Sequence, residues 1–507
     1  MKNSNPQNYD VVIVGSGIGG STLLHGLADT GARILVLERG AVISDSPEAR
    51  DSHSIFAKQH FRSDEEWFDG DGNAFNPGNY YNVGGNSKFY GAVMMRFREE
   101  DFSEMTFDEG VSPAWPITYQ ELAPYYQKAE RLYRVRGKSG DDPCEPSGPK
   151  GYVAPPVPDE APIRGVRRRL ERAGVKPFSL PLAVDIESWM ARAETPWDAF
   201  PDTGCGKMDA ESAVLNPALK YSNVTLIQEA KVERFLTSLD GKTIESVEIT
   251  QGQSTKKVKA GLFVLSAGAI NSAALLLRSA DDKNPRGLSN SSDQVGRNFM
   301  NHNCSALLAI NPLRRNNAVY QKTLGINDFY LSDGSGGNAL GNMQLLGKVD
   351  GTILKTNIKQ APLFALSWLA KRSVDWYVMS EDLPSAESRV RLDGQGRIVL
   401  DWQRSNMTTH HKLVKKAKQV LRAAGYPILL SRAFDQRTPS HQCGTVRMGN
   451  DPAKAPLDAY CRSYDHPNLF VVDGSFLPTS AAVNPALTIA AQALRVAEHI
   501  KLSEFSK

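Results

Sequence analysis

Closely spaced cysteines are lacking in this chain. Its cysteines are scattered with no CxxC spacing, at Cys144, Cys205, Cys304, Cys443 and Cys461. Few, scattered cysteines without a CxxC pair argue against a disulfide scaffold, a cysteine zinc site or an iron–sulfur cluster. We therefore predict no metal site, and we expect thiols that stay reduced in a reducing compartment.

An excess of charge and a long hydrophobic run are lacking as well. The 59 Lys and Arg residues nearly balance 56 Asp and Glu residues, and a net charge of +3 gives no reason to expect a nucleic-acid partner. The apolar stretch at residues 361–369 has about half of the roughly 20 residues that cross a bilayer, so we expect a lid or an apolar wall there and no integral membrane segment. Residues 1–9 are polar and carry no export signal, and we expect a cytoplasmic protein.

The length of 507 residues, with 41% apolar and 23% charged residues, predicts a globular protein of two domains. Near the N-terminus, residues 11–14 predict a buried strand, residues 21–30 a helix and residues 33–37 a second, parallel strand. Such a βαβ unit is the usual start of a doubly wound sheet.

The loop between the first strand and the helix carries a G-x-G-x-x-G motif. Gly15 permits the tight turn, Gly17 lets the backbone approach a pyrophosphate, and Gly20 lets the helix pack on the strand. Glu38 ends the second strand and can accept hydrogen bonds from ribose hydroxyls. The motif predicts a dinucleotide site, but it does not separate FAD from NAD.

The rest of the chain alternates helical and strand patterns, with an excursion at residues 44–77 and a Pro-rich linker or surface loop at residues 141–158. Strands are predicted at residues 224–227, 232–236, 244–250, 262–266, 389–392, 398–402 and 469–472. Helices are predicted at residues 119–135, from about Ser272 onward, and at residues 485–500. Between residues 299 and 433 one helix is predicted, at residues 412–424.

Four further segments resemble the glucose-methanol-choline (GMC) oxidoreductase family. Residues 82–93, NVGGNSKFYGAV, resemble the glycine-rich segment that lies against the flavin, and residues 263–276, FVLSAGAINSAALL, resemble the second signature. Residues 441–449, HQCGTVRMG, and residues 473–488, DGSFLPTSAAVNPALT, resemble the C-terminal pair that frames the isoalloxazine ring. The resemblance implies FAD as the cofactor and oxidation of a carbon-bound hydroxyl group to a carbonyl.

With this resemblance, the fold expected is α/β, or α+β overall: a doubly wound Rossmann-like FAD-binding domain built from discontinuous segments, and a sheet-based substrate domain. The FAD-binding domain is expected to comprise residues 1–45, 78–120, 200–300 and 435–507. The substrate domain and its excursions are expected to comprise residues 46–77, 121–199 and 301–434.

The catalytic pair that the resemblance implies is His441 and Asn484. A hydride leaves an alcohol carbon only as the hydroxyl proton is removed, so the site needs a base and a second polar group that fixes the oxygen. Family members have a histidine at the first position and a histidine or asparagine at the second. An alternative for Asn484 is a helix N-cap ahead of Pro485, and both roles can hold together.

The cofactor residues follow from the motif and the resemblance together. The helix beginning near Pro485 would direct its N-terminal amides at the flavin N1 and O2 region. Asp473 and Gly474 resemble the residues that hold the ribityl and phosphate portion, and Val232 is either the residue whose backbone meets the adenine or an ordinary strand residue. The predicted FAD-binding residues are Gly15, Gly17, Gly19, Gly20, Glu38, Arg39, Gly84, Gly85, Asn86, Val232, Ala267, Asp473, Gly474, Asn484, Pro485 and Thr488.

Two departures from the family pattern matter. Several relatives attach FAD covalently through a histidine in the glycine-rich segment, whereas this chain has Gly85, Asn86 and then Ser87, so we expect non-covalent FAD. Cys205 is solitary where the large subunits of some sugar dehydrogenases carry a cysteine cluster for iron and sulfur, so we expect no such relay.

The substrate expected from the resemblance is a secondary hydroxyl of a sugar or glycoside, as in pyranose oxidases and glycoside 3-oxidases, with oxygen or another electron acceptor. Oxidation of a sterol or another alcohol is the alternative, and the family fold also hosts lyases without net redox turnover.

Several other side chains leave two interpretations open or point away from the site. His302 lies either on the substrate side or in the core. His410 and His411 are expected to be solvated, since their spacing does not suit a metal pair. The region from about residue 303 to residue 437 diverges from the family. Four of its residues are either core residues or walls for a sugar ring, namely Trp368, Trp376, Tyr377 and Met379.

Overall fold

The computed structural model describes residues 8–190, 198–204, 206–438 and 440–505. The α-helices, α1 to α10 in chain order, are Ile18–Leu27, Tyr119–Leu132, Ala161–Arg172, Ile186–Met190, Asn216–Ala218, Ala269–Arg278, Gly351–Asn357, Leu363–Ala370, Met407–Ala423 and Ala486–Ile500. The strands, β1 to β21 in chain order, are Asn8–Val14, Ile34–Leu37, Trp67–Asp69, Ala74–Phe75, Met105–Phe107, Gly110–Ser112, Phe178–Ser179, Val224–Ile227, Ala230–Thr237, Ile244–Gln251, Ser254–Leu265, Met300–Asn301, Asn303–Ile310, Leu324–Ile326, Asn342–Leu345, Ser373–Ser380, Arg389–Leu392, Ile398–Asp401, Ile428–Ala433, Gln442–Cys443 and Leu469–Val471.

A seven-stranded sheet, which we call the nucleotide sheet, is built from segments far apart in the chain. Strands β8, β2, β1, β11 and β21 run parallel in that order, and β9 and β10 extend β11 as an antiparallel meander. Residues 11–14 of β1 and all of β2 are apolar and buried, as is usual for parallel strands that are covered on both faces. The Rossmann-like α/β fold expected from the sequence is confirmed, whereas the residue boundaries of its domains stay a prediction.

Helices α1, α2 and α10 pack together beside the nucleotide sheet. A Cβ on Gly26 of α1 would lie 2.6 Å from the Cβ of Ala497 in α10, so only glycine permits this close helix approach. Helix α2 begins at a capping box, in which Thr118 and Glu121 bind each other's backbone amides.

A second sheet, the substrate sheet, has six antiparallel strands in the order β19-β13-β16-β15-β14-β7. Helix α9 packs on it through Leu413 and Ala417. The prediction of one helix between residues 299 and 433 is wrong, because α7 and α8 also form there. Helix α8 is apolar on every side, so its sequence, LFALSWLA, shows no helical alternation of polar and apolar residues.

Three predicted helix starts move toward the N-terminus, and α9 moves furthest, because it begins at Met407 rather than residue 412. Helix α1 begins at Ile18 rather than residue 21, and α6 begins at Ala269 rather than Ser272, since each helix follows its glycine turn directly. Residues 141–158 form a surface loop, held by the ion pair between Arg98 and Asp142 at 2.7 Å. Within the described ranges, no helix has the length and apolar character to cross a membrane.

Candidate active site

The predicted cofactor residues gather at the carboxyl ends of parallel strands in the nucleotide sheet. Gly15 follows β1, Glu38 follows β2, Ala267 lies shortly after β11, and Asp473 lies shortly after β21. Nucleotides bind at this edge of open α/β sheets. Val232 lies in the edge strand β9, two residues after Ala230, whose N donates to Glu38 O at 2.9 Å.

Three glycines of the first loop are required by packing, and the fourth faces open space. A Cβ would lie 2.2 Å from Ser266 O at Gly15, 1.9 Å from Val472 O at Gly19, and 2.3 Å from Gly15 O at Gly20. Gly15 also has a φ of +97°, in the left-handed region. At Gly17, by contrast, an added Cβ meets no atom within 4 Å.

Glu38 joins the loops that follow β1 and β2. Its Oε2 accepts hydrogen bonds from Ser16 Oγ at 2.6 Å and Ser16 N at 3.1 Å, and its Oε1 accepts one from Gly40 N at 2.9 Å. Burial raises the pKa of Glu38, and these hydrogen bonds oppose that rise. A carboxylate has about four acceptor positions, so ribose hydroxyls can still bind. The guanidinium of Arg39 lies 3.5 Å above the ring of Tyr81.

The glycine-rich segment packs against the first loop. Gly84 N donates to Ser16 Oγ at 3.1 Å, and a Cβ on Gly85 would lie 3.2 Å from Gly17 Cα. Both Gly84 and Gly85 have positive φ angles, of +85° and +56°. Asn86 is exposed at the turn that follows.

Asp473 binds the loop that precedes α6. Its Oδ2 accepts from Gly268 N at 3.0 Å and from Ser272 Oγ, and its Oδ1 accepts from Ser475 N at 2.8 Å. Ala267 N donates to Ser272 Oγ at 3.1 Å. Burial raises the pKa of Asp473, and its hydrogen-bond donors oppose that rise.

Helix α10 begins beside the predicted catalytic pair without a side-chain cap. Pro485 occupies its N-cap, so the alternative role of Asn484 as the helix N-cap is wrong. Thr488 in its first turn is buried and shares a hydrogen bond of 2.7 Å with Tyr126 Oη. Gly474, before the helix, lies so close to Gln442 that a Cβ would be 2.7 Å from Gln442 O.

The side chains of His441 and Asn484 meet directly. Asn484 Nδ2 donates to His441 Nε2 at 3.2 Å, while Asn484 Oδ1 accepts from Gln344 Nε2 at 3.0 Å. Gln344 therefore fixes which end of the Asn484 amide faces the histidine. With Nε2 as the acceptor, the proton of neutral His441 resides on Nδ1.

Burial keeps both histidines of the site neutral near pH 7. It lowers the pKa of His441 well below the usual value, and the nearby His302 and Lys322 lower that pKa further. Burial lowers the pKa of His302 to about 4. A neutral imidazole with a free lone pair can accept a proton.

His302 is buried, which confirms the core interpretation, and its ring borders His441, so its place on the substrate side stays a prediction. Its ring centroid lies 4.9 Å from that of His441, edge to face, and its Nε2 donates to Ser480 O at 2.7 Å. Tyr377 flanks His441 on another side, with ring centroids 6.2 Å apart. Within the described residues, three buried atoms of the site have no hydrogen-bond partner: His441 Nδ1, His302 Nδ1 and Gln344 Oε1.

Two polar contributions to the site were missed from the sequence. Gln344 lies in β15 and had no motif around it. Lys322 forms an ion pair with Asp198 at 2.8 Å, and a Cβ on Gly91 would lie 2.1 Å from Lys322 Nζ. The ion pair therefore lies against the glycine-rich segment, and the only available signal was the glycine at position 91.

The family profiles and curated relatives agree with this geometry. Profiles described as GMC oxidoreductase match residues 197–304 and 384–493, and one described as an NAD(P)-binding Rossmann-like domain matches residues 13–83. Paromamine 6'-oxidase of Streptomyces fradiae is 30% identical over 97% of this chain and 91% of its own length. This chain belongs to the GMC oxidoreductase family. A second relative, 6'''-hydroxyparomomycin C oxidase of Streptomyces lividus, is 29% identical over the same shares of the two chains.

This GMC oxidoreductase also shares its fold with solved structures. Pyridoxine 4-oxidase from Mesorbium loti superposes with a TM-score of 0.70 at 20% identity, covering 98% of this chain and 100% of that one. The expected reaction class and cofactor are confirmed: the protein is an FAD-dependent oxidoreductase acting on alcohols.

The described residues fit FAD at the carboxyl edge of the nucleotide sheet. Helices α1 and α10 both begin without a side-chain cap, so their N-terminal amides are available to anionic groups. Gly17 leaves the backbone of the first loop open. Cys205 lies outside the described residues, and the other four cysteines are free thiols.

His410 corrects one expectation, because it is buried. Its ring nitrogens lie 2.8 Å from Ser305 Oγ and 3.0 Å from Ser380 Oγ, and burial lowers its pKa to about 3. The amphipathic helix α9 places His410 on the face that packs against the substrate sheet, whereas His411 is exposed. Trp376 and Met379 are core residues, and Trp368 is half-exposed.

Proposed function

We propose that this GMC oxidoreductase oxidises a hydroxyl group of a sugar or glycoside, with His441 as the base and Asn484 as the residue that orients the oxygen. The observation that carries the proposal is the 3.2 Å contact between His441 Nε2 and Asn484 Nδ2. A base and a hydrogen-bond donor thus converge on one point, which a substrate hydroxyl can occupy by binding both groups.

The proton chemistry follows from the tautomer of His441. Its unprotonated Nε2 accepts the hydroxyl proton, while Asn484 Nδ2 donates to the same oxygen and holds it in place. Gln344 keeps that donor in position through its 3.0 Å bond to Asn484 Oδ1. Bound FAD supplies the acceptor for the hydride from the carbon, and oxygen or another acceptor then reoxidises it.

The same proposal assigns the cofactor residues. Gly17 and the α1 amides would hold the pyrophosphate, Glu38 the ribose, and the α10 amides the flavin N1 and O2 region. Because no histidine occurs in residues 82–93, we propose that FAD is not covalently attached. Acid precipitation should then release intact FAD into the supernatant, whereas flavin that stays with the polypeptide would contradict this assignment.

A polar substrate suits the side chains around the catalytic pair. Gln344 and His302 each present a buried polar atom that has no partner among the described residues, and such atoms favour a ligand with several hydroxyl groups. The relatives named as paromamine and paromomycin oxidases support a glycoside. A sterol would leave these polar atoms unpaired, so it is the less favoured alternative. The preference for a secondary hydroxyl stays a prediction.

Anaerobic reduction of the bound flavin tests the proposal. The purified holoenzyme is mixed without oxygen with sugars, glycosides, aminoglycosides, sterols and choline, and bleaching of the flavin absorbance is followed. Glycosides blocked at single hydroxyl positions distinguish primary from secondary sites. Rapid bleaching by a sugar or glycoside supports the proposal. Bleaching by sterols alone would contradict it.

A further inference from the structure

Helix α8 exposes apolar side chains that the catalytic site does not use. Phe364 and Trp368 lie one turn apart on the same helix face and are 79% and 44% exposed. Leu363 and Ile358, at the start of α8 and the end of α7, are exposed beside them. The opposite side of α8 packs on α7 through Leu366. One side of the short α7–α8 hairpin is therefore packed in the protein, and the other side is exposed to solvent.

A neighbouring loop continues the exposed face. The guanidinium of Arg372 lies 4.2 Å from the ring of Trp368, and its Nε donates to Pro312 O at 3.0 Å. The next residue, Leu313, is 95% exposed. The loop at residues 311–316 is thus fixed beside the C-terminal end of α8, with a leucine at its tip.

The edge strand β19 extends the same face. Leu430 is paired with Leu308, which packs against the α7–α8 hairpin, and directly opposed residues project to one side of a sheet. Leu429 packs into the core on the other side, so the alternation agrees. Leu430 and Ile428 are both exposed, and Arg432 reaches Asn357 at the end of α7.

The charge around this apolar face has one sign. Residues 311–326, 351–374 and 425–434 contain no Asp or Glu. Four exposed cations border the face, and none of them forms an ion pair with a described residue: Arg314, Arg315, Lys359 and Lys371. Contiguous exposed apolar side chains mark interaction sites, and a rim of unpaired cations indicates an anionic partner.

We propose that this face, formed by helix α8, the loop at residues 311–316 and strand β19, binds the surface of an anionic phospholipid membrane. Leu313 and Phe364 project furthest and would enter the boundary between headgroups and acyl chains. Trp368 suits the headgroup level, and the surrounding cations would contact lipid phosphates. A protein partner is less favoured, because lysine is depleted at protein interfaces.

The position of the face links it to the catalytic site. The α7–α8 hairpin is inserted between β15 and β16, which pair with each other and carry Gln344 and Tyr377. One end of the substrate sheet therefore borders the catalytic pair, while its connecting hairpin meets the membrane. None of the surface residues belongs to the proposed catalytic or cofactor machinery.

Vesicle sedimentation of the FAD-loaded enzyme tests the proposal. The probes are vesicles of phosphatidylglycerol mixed with phosphatidylcholine, and vesicles of phosphatidylcholine alone. We expect sedimentation with the anionic vesicles, weakened by salt. Replacing Phe364→Ser and Trp368→Ser should lower partitioning at least tenfold, because each buried aromatic side chain contributes about that factor or more. Replacing Lys359→Gln and Lys371→Gln should lower it by about fivefold per charge removed.

The matched control replaces two exposed leucines elsewhere, Leu239→Ser and Leu502→Ser, which are 99% and 69% exposed. This control should bind vesicles as the unmodified enzyme does, and all variants should reduce their flavin with a soluble alcohol at unchanged rates. Absence of vesicle binding, or equal loss in the control, would overturn the proposal. So would light scattering that shows a dimer separated by the α8 substitutions, since a second copy would then cover the face.

Discussion

The acids at the nucleotide sheet and the polar side chains around His441 differ in how completely they are hydrogen-bonded within the protein. At the nucleotide sheet, Glu38 and Asp473 are each held by three hydrogen bonds from backbone amides and serine hydroxyls. On the substrate side, polar atoms of Gln344, His302 and His441 have no partner among the described residues. Glu38 and Asp473 are thus hydrogen-bonded within the protein, whereas the polar atoms near His441 are free to bind a ligand.

This difference has an energetic cause. A buried polar atom without a partner costs about 1–3 kcal/mol, so it is retained where a ligand can satisfy it. The acids of the nucleotide sheet already have donors and mainly stabilise loop conformation. Substitutions in the two regions should therefore have different effects. Those at the nucleotide sheet should lower stability and FAD binding, whereas those on the substrate side should slow turnover and leave the fold intact.

The largest expected effect is on the substrate side. His441→Ala should keep the fold and FAD while slowing flavin reduction by alcohol about 10²- to 10⁴-fold, or about 3–5 kcal/mol of barrier, because the proton acceptor is removed. Stopped-flow bleaching measures the rate, and His411→Ala, on the exposed side of α9, is the matched control. A rate near that of the unmodified enzyme, at saturating substrate, would show that His441 is not the base.

Substitutions at two glycines test the role of the loop that follows β1. Gly19→Ala should lower the free energy of unfolding by about 3 kcal/mol or more, since its Cβ would lie 1.9 Å from the Val472 carbonyl oxygen. Gly17→Ala should cost less than about 1 kcal/mol of stability but weaken FAD binding, because its Cβ enters the open space above the loop. Thermal unfolding and FAD titration of the apoprotein separate the two. Equal destabilisation by both substitutions would contradict the assignment of Gly17.

Gln344→Leu sharpens the comparison within the substrate side. Removing the donor to Asn484 Oδ1 frees the amide to rotate, so flavin reduction should slow by about tenfold, the value of one hydrogen bond of about 1.4 kcal/mol. FAD content and melting temperature should stay unchanged. If Gln344→Leu instead raises KM alone, Gln344 binds substrate and does not position Asn484.

The smallest expected effect is that of pH on the unmodified enzyme. Only neutral His441 accepts a proton, and its pKa lies well below 6.5. The rate of flavin reduction should therefore be flat above pH 6.5 and fall only in acid, as His441 becomes protonated. Stopped-flow measurements across pH check this, and a rate that rises through an ionisation above 7 would indicate a different base.

The two regions also differ in how much of each could be predicted from the sequence. In the nucleotide sheet, β1, α1 and β2 follow one another directly, and the roles of Gly15 and Glu38 depend on turns next to them in the chain. His441 and Asn484 lie in segments that resemble the family, although their mutual contact spans 43 residues. The prediction that His410 is solvated was wrong, because its burial depends on strands that are distant in the chain. Its partner Ser305 is 105 residues away.

The sequence by itself determined the Rossmann-like fold, because strand periodicity and glycine turns are local features. Its resemblance to the GMC family, which is also carried by short local segments, indicated the cofactor and the reaction class. Only the tertiary structure decided that Gln344, His302 and Tyr377 lie around His441 and Asn484, since strand pairing in the substrate sheet joins distant segments without a motif. It also decided that α8 is buried on the side of Leu366 and exposed on the side of Phe364. The apolar sequence of α8 does not show which of its sides is buried, because that depends on how α7 and the substrate sheet pack against it.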